Sequence, residues 1–302
     1  MLISTQTIIF RSKFCELLFV GRSPTYIDRD DDPLSGLSFQ GFASLFFARL
    51  AQISMYPRIQ RSWHKSKRFL HYHGILQPPR LPLLGVERRP IRTVIDVGAF
   101  DGDTGRIFRH MFPQATIHCF EPQPDQYRRL ANWAAKAGDQ VHAYPYGLGQ
   151  HATSMELQTI PSMPRFASFL PGTDELAAIH AGGNPIATVP VTVQVKRLDD
   201  LAVDLFMKDE ILVKIDTEGF ERQVILGGTI VLKRALACII EVNVSEYHQG
   251  QSSFRGLIDL MEQHELLYAG NVSQGIIPAT GLVGHFDALF VRKSILHEVP
   301  GR

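Results

Sequence analysis

Val94-Ile-Asp-Val-Gly-Ala-Phe-Asp-Gly-Asp-Thr-Gly105 reads as a buried strand, a glycine turn and a helix start. Thr93–Val97 is apolar around a single acid, as expected of a strand covered on both faces. Gly98, Gly102 and Gly105 permit a tight turn and a close backbone approach that a Cβ would block. A helix is expected from about Thr104 to Phe112. The strand ends in Asp96, and Cys119-Phe-Glu-Pro122 ends a second strand, Ala115–Phe120, in Glu121. A third segment, Val213-Lys-Ile-Asp-Thr-Glu-Gly-Phe-Glu221, ends a further strand, Ile211–Ile215, in several carboxylates.

The surrounding pattern alternates strand and helix. Pro124–Ala137 is a helix stopped by Gly138, and Gln140–Tyr144 is a strand. Ser154–Ile160 and Val189–Leu198 alternate with period two, as half-exposed antiparallel or edge strands do. Between them Pro161–Pro185, rich in Gly, Pro and Ser, reads as an active-site loop. Glu221–Leu226 is a helix that Gly227-Gly228 ends or interrupts. Ala237–Val242, helix Phe254–His264, and the strand pair Leu266–Ala269 and His285–Val291 complete the series. Such a series predicts an α/β fold with a doubly wound, mostly parallel sheet.

Residues 1–85 read as an amino-terminal basic, partly helical extension, and 86–302 as the catalytic domain. Met1–Pro90 carries 13 Lys/Arg and 6 Asp/Glu, a net of +7, against −6 for the remainder of a chain whose net charge is +1. Ser23–Gly36 reads as loop, Gln40–Met55 as an amphipathic helix, and Gln77–Pro82, with three prolines, as a linker. The helix suits packing on its own domain, and the basic segment leaves room for peripheral membrane contact. The small overall charge gives no pull toward nucleic acid. No apolar run reaches the roughly 18 residues of a membrane span, and Arg11, Lys13 and Glu16 interrupt what would be the core of a signal peptide. Cys15, Cys119 and Cys238 are too widely spaced for a disulfide framework or a zinc site, which suits the cytoplasm.

Ligands of open α/β sheets bind beyond the carboxyl ends of the strands. Glu121, 25 residues after Asp96, is placed to accept hydrogen bonds from ribose hydroxyls. The glycine spacing is G-x-x-x-G-x-x-G rather than the G-x-G-x-x-G of a pyrophosphate turn. This predicts a nucleoside cofactor without a pyrophosphate, such as S-adenosylmethionine. Asp216, Glu218 and Glu241 should meet near the ends of adjacent strands. There they accept a proton, hold a divalent cation or orient the cofactor. Glu221 is better read as part of the next helix start. His248 and His285 are weaker base candidates, while Tyr146 and Ser168 are candidate cofactor contacts.

In order along the chain, these segments resemble the FkbM family of S-adenosylmethionine-dependent methyltransferases. The resemblance rests on Val94–Gly102, Phe120-Glu-Pro122, Leu198-Asp-Asp-Leu201, Lys214–Glu221 with Leu226-Gly-Gly228, Glu241-Val242 and Tyr247-His-Gln-Gly250. It implies a class I methyltransferase (Rossmann-like) fold, a seven-stranded sheet with an antiparallel last strand. It implies O-methylation of a hydroxyl on a sugar, a lipid-linked glycan or a polyketide-type small molecule. By motif, Asp96, Gly98 and Gly102 would surround the methionine part, Glu121 would hold the ribose, and Asp216 and Glu218 would face the reaction centre; Ala99 and Pro122 are further cofactor contacts. Phe100 departs from the family pattern, where Asn is usual. Two rival readings stay open: an NAD(P)-dependent oxidoreductase, which needs the missing pyrophosphate turn, and a non-catalytic scaffold that keeps the fold and binds a partner.

Overall fold

The computed structural model describes residues 7–12, 15–20, 23–25, 81–202, 208–277 and 279–296. The chain divides into two units, Met1–Leu76 and Gln77–Arg302. In the first, strands β1 (Thr7–Ser12), β2 (Cys15–Val20) and β3 (Ser23–Thr25) form an antiparallel meander. The loop expected at Ser23–Gly36 therefore begins with three strand residues. The helix expected at Gln40–Met55 lies outside the described residues.

The second unit is built on β4 (Thr93–Val97), β5 (Thr116–Phe120), β6 (Val141–Tyr144), β10 (Ile211–Ile215), β11 (Ala235–Asn243), β12 (Leu266–Ile276) and β13 (Val283–Arg292). Their order is β12-β13-β11-β10-β4-β5-β6. All neighbours pair in parallel except β13, which runs against both β11 and β12. This is the α/β sheet expected from the strand-helix alternation. The closing pair extends well beyond Leu266–Ala269 and His285–Val291.

Period-two alternation puts the two faces of this sheet into different cores. Ile95, Val97, Val213, Ile215 and Ile240 face one cluster with Val224, Leu232 and Leu257. Those three come from helices α5 (Glu221–Gly227), α6 (Thr229–Arg234) and α7 (Phe254–Glu262). Val94, Ile117, Leu212 and Ile239 face the other with Phe108 and Leu130, from α1 (Asp103–Met111) and α2 (Pro124–Ala137). Every residue of β4 and β10 is buried, so an apolar run without alternation was the right sign of a central parallel strand.

The period-two segments form a separate small sheet. Here β8 (Thr153–Thr159) runs antiparallel to β9 (Val189–Lys196), and the short β7 (Gly147–Leu148) runs parallel to it. Leu148, Leu157, Val193 and Val195 are among its buried residues, and Val189 stays exposed. The segment read as a loop at Pro161–Pro185 contains helix α3 (Asp174–Ala181). Thr173 caps this helix by accepting from the Leu176 N–H at 3.3 Å, and Gly182 ends it at a φ of 62°. Leu198–Leu201 is a short helix, α4, and Lys293–Leu296 another, α8.

Candidate active site

The carboxyl ends of β4, β5, β10 and β11 open onto a cleft of about 740 Å³, counting space open to solvent. Its wall includes Gly98, Phe100, Glu121, Pro122, Arg165 and Phe169, with Asp216, Thr217, Glu218 and Glu241 beside them.

The glycine turn is crowded by the protein itself. A Cβ on Gly98 would lie 1.8 Å from the Asp216 carbonyl oxygen, and one on Gly102 2.6 Å from the Trp133 ring. A Cβ on Gly105 would lie 2.8 Å from that same ring. These glycines close β4 against β10 and α1 against α2, and Gly98 also lines the cleft. Gly98 and Gly102 also take positive φ, 79° and 87°. Ala99 is buried in the core behind the turn. Phe100 holds a φ of 52°, a region that Asn tolerates better than an aromatic residue.

Glu121 lies at the cleft, almost fully buried. Its Oε2 accepts from the Phe100 N–H and its Oε1 from the Gln123 N–H, both at 2.8 Å. Burial outweighs those bonds and pushes its carboxyl up to about 7. Asp96 sits beneath the turn at 1% exposure, and its Oδ2 has no hydrogen-bond partner. Burial raises it to about 7 as well, against the pull of Lys214.

The three expected acids meet. Asp216, Glu218 and Glu241 are partly buried and each offers a carboxylate oxygen, all within 4.8 Å of one another. Lys214, on β10, anchors them: its Nζ is 3.0 Å from Asp216 Oδ2 and 3.0 Å from Asp287 Oδ1. Burial opposes ionisation of Asp216. The Lys214 ammonium, a hydrogen bond from Glu241 and the Arg165 guanidinium outweigh it, so the carboxyl stays below its usual range. Burial, then the neighbouring Asp216 charge, drives Glu218 and Glu241 well above theirs. The cluster thus sets one acid whose ionised form is favoured beside two whose neutral form is favoured.

The turn after β10 is strained and braced. Glu218 has a φ of 51° and Gly219 a φ of 95°. Glu221 Oε1 accepts from the Thr217 N–H, the Thr217 hydroxyl and the Gly219 N–H at 3.0 to 3.1 Å, the structural part expected of it. Ser168 is buried away from the cleft wall. Its hydroxyl donates to the Glu218 carbonyl at 2.6 Å and accepts from the Leu170 N–H, so it holds Glu218 in place. Tyr146 also lies off the wall, packed on Phe120 and Tyr144 with the Lys196 ammonium 4.2 Å from its ring.

His248 is buried in the contact between the 161–173 segment and the 245–251 turn, where Gly172 and His248 form an isolated bridge. Burial lowers it to about 4, so it stays neutral at physiological pH. His285 lies across Gly275 on the strand pair. Neither lines the cleft. Lys214, Asp287 and Arg165 were not singled out by sequence. Lys214 sat inside a motif, but only the pairing of β11 with β13 reveals its Asp287 partner. Arg165 lay in a segment without a legible pattern.

The cleft, the buried unpartnered Asp96 oxygen and the acid at the end of β5 together fit a nucleoside cofactor with cationic groups. The family model of the methyltransferase FkbM domain matches residues 96–268 of this chain. The chain belongs to the FkbM methyltransferase family. It is an S-adenosylmethionine-dependent methyltransferase. Two curated relatives are similar in sequence. The 2-O-methyltransferase NoeI of Sinorhizobium fredii (strain NBRC 101917 / NGR234) is 23% identical over 198 residues, 61% of this chain and 77% of NoeI. Methyltransferase 1 of Beauveria bassiana (strain ARSEF 2860) is 30% identical over 143 residues, covering 44% of this chain and 57% of the fungal protein. Among solved structures, an FkbM methyltransferase from Methylobacillus flagellatus KT aligns at a TM-score of 0.42 and 14% identity, over 82% of this chain and 59% of that one. No helix among the described residues is long and apolar enough to cross a membrane.

Proposed function

We propose that the chain transfers the methyl group to a hydroxyl of a sugar, glycolipid or polyketide-type small molecule. The observation that carries this reading is Asp216 held at the cleft 3.0 Å from the Lys214 ammonium, with carboxylate oxygens of Glu218 and Glu241 within 4.8 Å of its own. The 2-O-methyltransferase named among the relatives supports oxygen as the acceptor atom.

Bound S-adenosylmethionine supplies an electrophilic methyl on a sulfonium. The remaining work falls to the protein: positioning the acceptor oxygen and receiving its proton as the new bond forms. Asp216 is the carboxylate that receives it. Glu241 and Glu218 lie within reach and orient the hydroxyl. Glu121 receives ribose hydroxyls beside Pro122. Asp96, below Gly98, Ala99 and Gly102, turns a buried carboxyl oxygen without a hydrogen-bond partner toward the methionine end. Ser168 acts through Glu218, and Tyr146 through the packing of Phe120.

In this reading residues 86–302 form the methyltransferase domain and 1–85 an extension open to peripheral membrane contact. The free buried thiols of Cys119 and Cys238 suit a cytoplasmic location, and no nucleic acid is needed.

Replacing Asp216 with Asn tests the role directly. Methyl transfer from labelled S-adenosylmethionine to a panel of sugars, glycolipids and polyketides should fall by about 10²- to 10⁴-fold. Cofactor affinity should change little, whereas full turnover in that variant would remove Asp216 from the mechanism. The convergence of three carboxylate oxygens also favours a second reading, a divalent cation at the same place. Lys214 already supplies positive charge there, so we adopt the cation-free form. Turnover that survives a chelator supports it. Loss restored by Mg²⁺ supports the cation.

A further inference from the structure

Among the described residues, the cleft wall carries four carboxylates, Glu121, Asp216, Glu218 and Glu241, and one cationic side chain, Arg165. S-adenosylmethionine brings two positive groups, the sulfonium and the ammonium, and one negative group, the methionine carboxylate. The acids match the first two. The carboxylate needs donors, and at the glycine turn the Gly98, Ala99, Phe100 and Gly102 amides are already engaged. The Gly98 and Ala99 amides both donate to the Phe120 carbonyl at 3.0 Å. The Gly102 amide donates to the Ala99 carbonyl at 2.8 Å, and the Phe100 amide to Glu121. On the opposite wall, the Thr217 and Gly219 amides donate to Glu221.

Arg165 sits on this wall with its guanidinium 4.3 Å from the centre of the Phe100 ring. Its Nη2 is 2.8 Å from Asp103 Oδ2 and 3.8 Å from Asp101 Oδ1. Both contacts use one nitrogen of a five-donor fork, so Nη1 and Nε remain to face an anion. The side chain is 48% exposed, and its backbone is held by a hydrogen bond from Gln123 Nε2 to the neighbouring Pro164 carbonyl at 3.1 Å. Phe100 stands where the family's Asn is usual, and here it gives the guanidinium a flat support.

We infer that Arg165 is the residue that binds the carboxylate of the cofactor's methionine end, with Phe100 and Asp103 holding the guanidinium in place. The inference rests on the S-adenosylmethionine reading of the cleft and adds a residue to it. It also gives Phe100 a use: the polar group lost from the turn is replaced by a cation set on the substituted ring.

The test compares S-adenosylmethionine with decarboxylated S-adenosylmethionine, which keeps the sulfonium, ribose and adenine but lacks the carboxylate. Binding of each is measured by titration calorimetry to the full chain. Arg165→Ala should weaken S-adenosylmethionine binding by about tenfold or more, the size of a charge-assisted bond. Its binding of the decarboxylated compound should stay within about twofold of wild type. Arg165→Lys should recover part of the loss. Asp103→Asn, which removes a partner of Arg165 but not the cation, should keep most of the affinity for both compounds. Equal loss of both compounds in Arg165→Ala would overturn the inference, because Arg165 would then only close the loop. An Asp103→Asn variant that weakened both compounds alike would overturn it too. Failure of the wild type to bind either compound would overturn the cofactor reading and this inference together.

Discussion

Asp96 has an acid where a folded core is least hospitable to one, at 1% exposure and with an unpartnered Oδ2. Burial raises its pKa from 3.8 to about 7, so the fold favours the protonated form. The stability this contributes is complete below about pH 3.8 and is lost as pH rises through about 7. Asp96→Asn removes the titration while keeping the shape. The ligand-free variant should therefore gain thermal stability over wild type at pH 8.5, with the gain shrinking toward pH 5.5. A melting-temperature difference that does not change with pH would contradict this account. Asp96, Glu121, Asp216 and Glu241 were legible in the sequence because an acid at the end of an apolar strand has few structural uses. Arg165 and Asp287 were not. Arg165 lies in an irregular segment, and the partner of Asp287 is 73 residues away, across a strand pairing that no local pattern encodes.

Among the elements, strands and long helices were readable and irregular segments were not. Pro124–Ala137 was found to the residue because Pro opens it and Gly138 closes it. Helix α3 was missed inside a Gly/Pro-rich stretch, although Thr173 and Gly182 mark its two ends. Its few turns bury one residue, Leu176, so the periodic signal was weak. The break between α5 and α6 shows what sequence could only suggest. A Cβ on Gly227 would lie 1.9 Å from the Gly149 carbonyl oxygen, so the helix end is pressed onto the loop after β7. Gly227→Ala should cost about 3 kcal/mol or more, as forced overpacking against backbone does. Gly250 has a φ of 78° with open space around it, so Gly250→Ala should cost only about 1 kcal/mol. Urea denaturation of the two variants measures the contrast, and equal losses would mean that the Gly227 contact relaxes freely.

At the scale of the whole molecule, one face of the sheet carries a row of charges across four strands. Asp96 is on β4, Lys214 on β10, Glu241 on β11 and Asp287 on β13, with Asp216 just past the end of β10. The antiparallel β13 supplies the counterion that keeps Lys214 buried beside the acids. Ser273 of β12 in turn hydrogen-bonds Asp287, so even the edge strand supports the site. The overall sheet followed from the sequence because burial of alternate faces and right-handed crossovers leave few arrangements of such elements. The fine structure of the site did not, because it depends on which strands become neighbours.

The central claim is that this cleft holds S-adenosylmethionine with Glu121 on the ribose, and titration calorimetry tests it most directly. Wild-type protein should bind S-adenosylmethionine and S-adenosylhomocysteine, and Glu121→Ala should weaken both by about tenfold or more. Binding unchanged in the variant would remove Glu121 from the cofactor site, and no binding by the folded wild type would contradict the account as a whole.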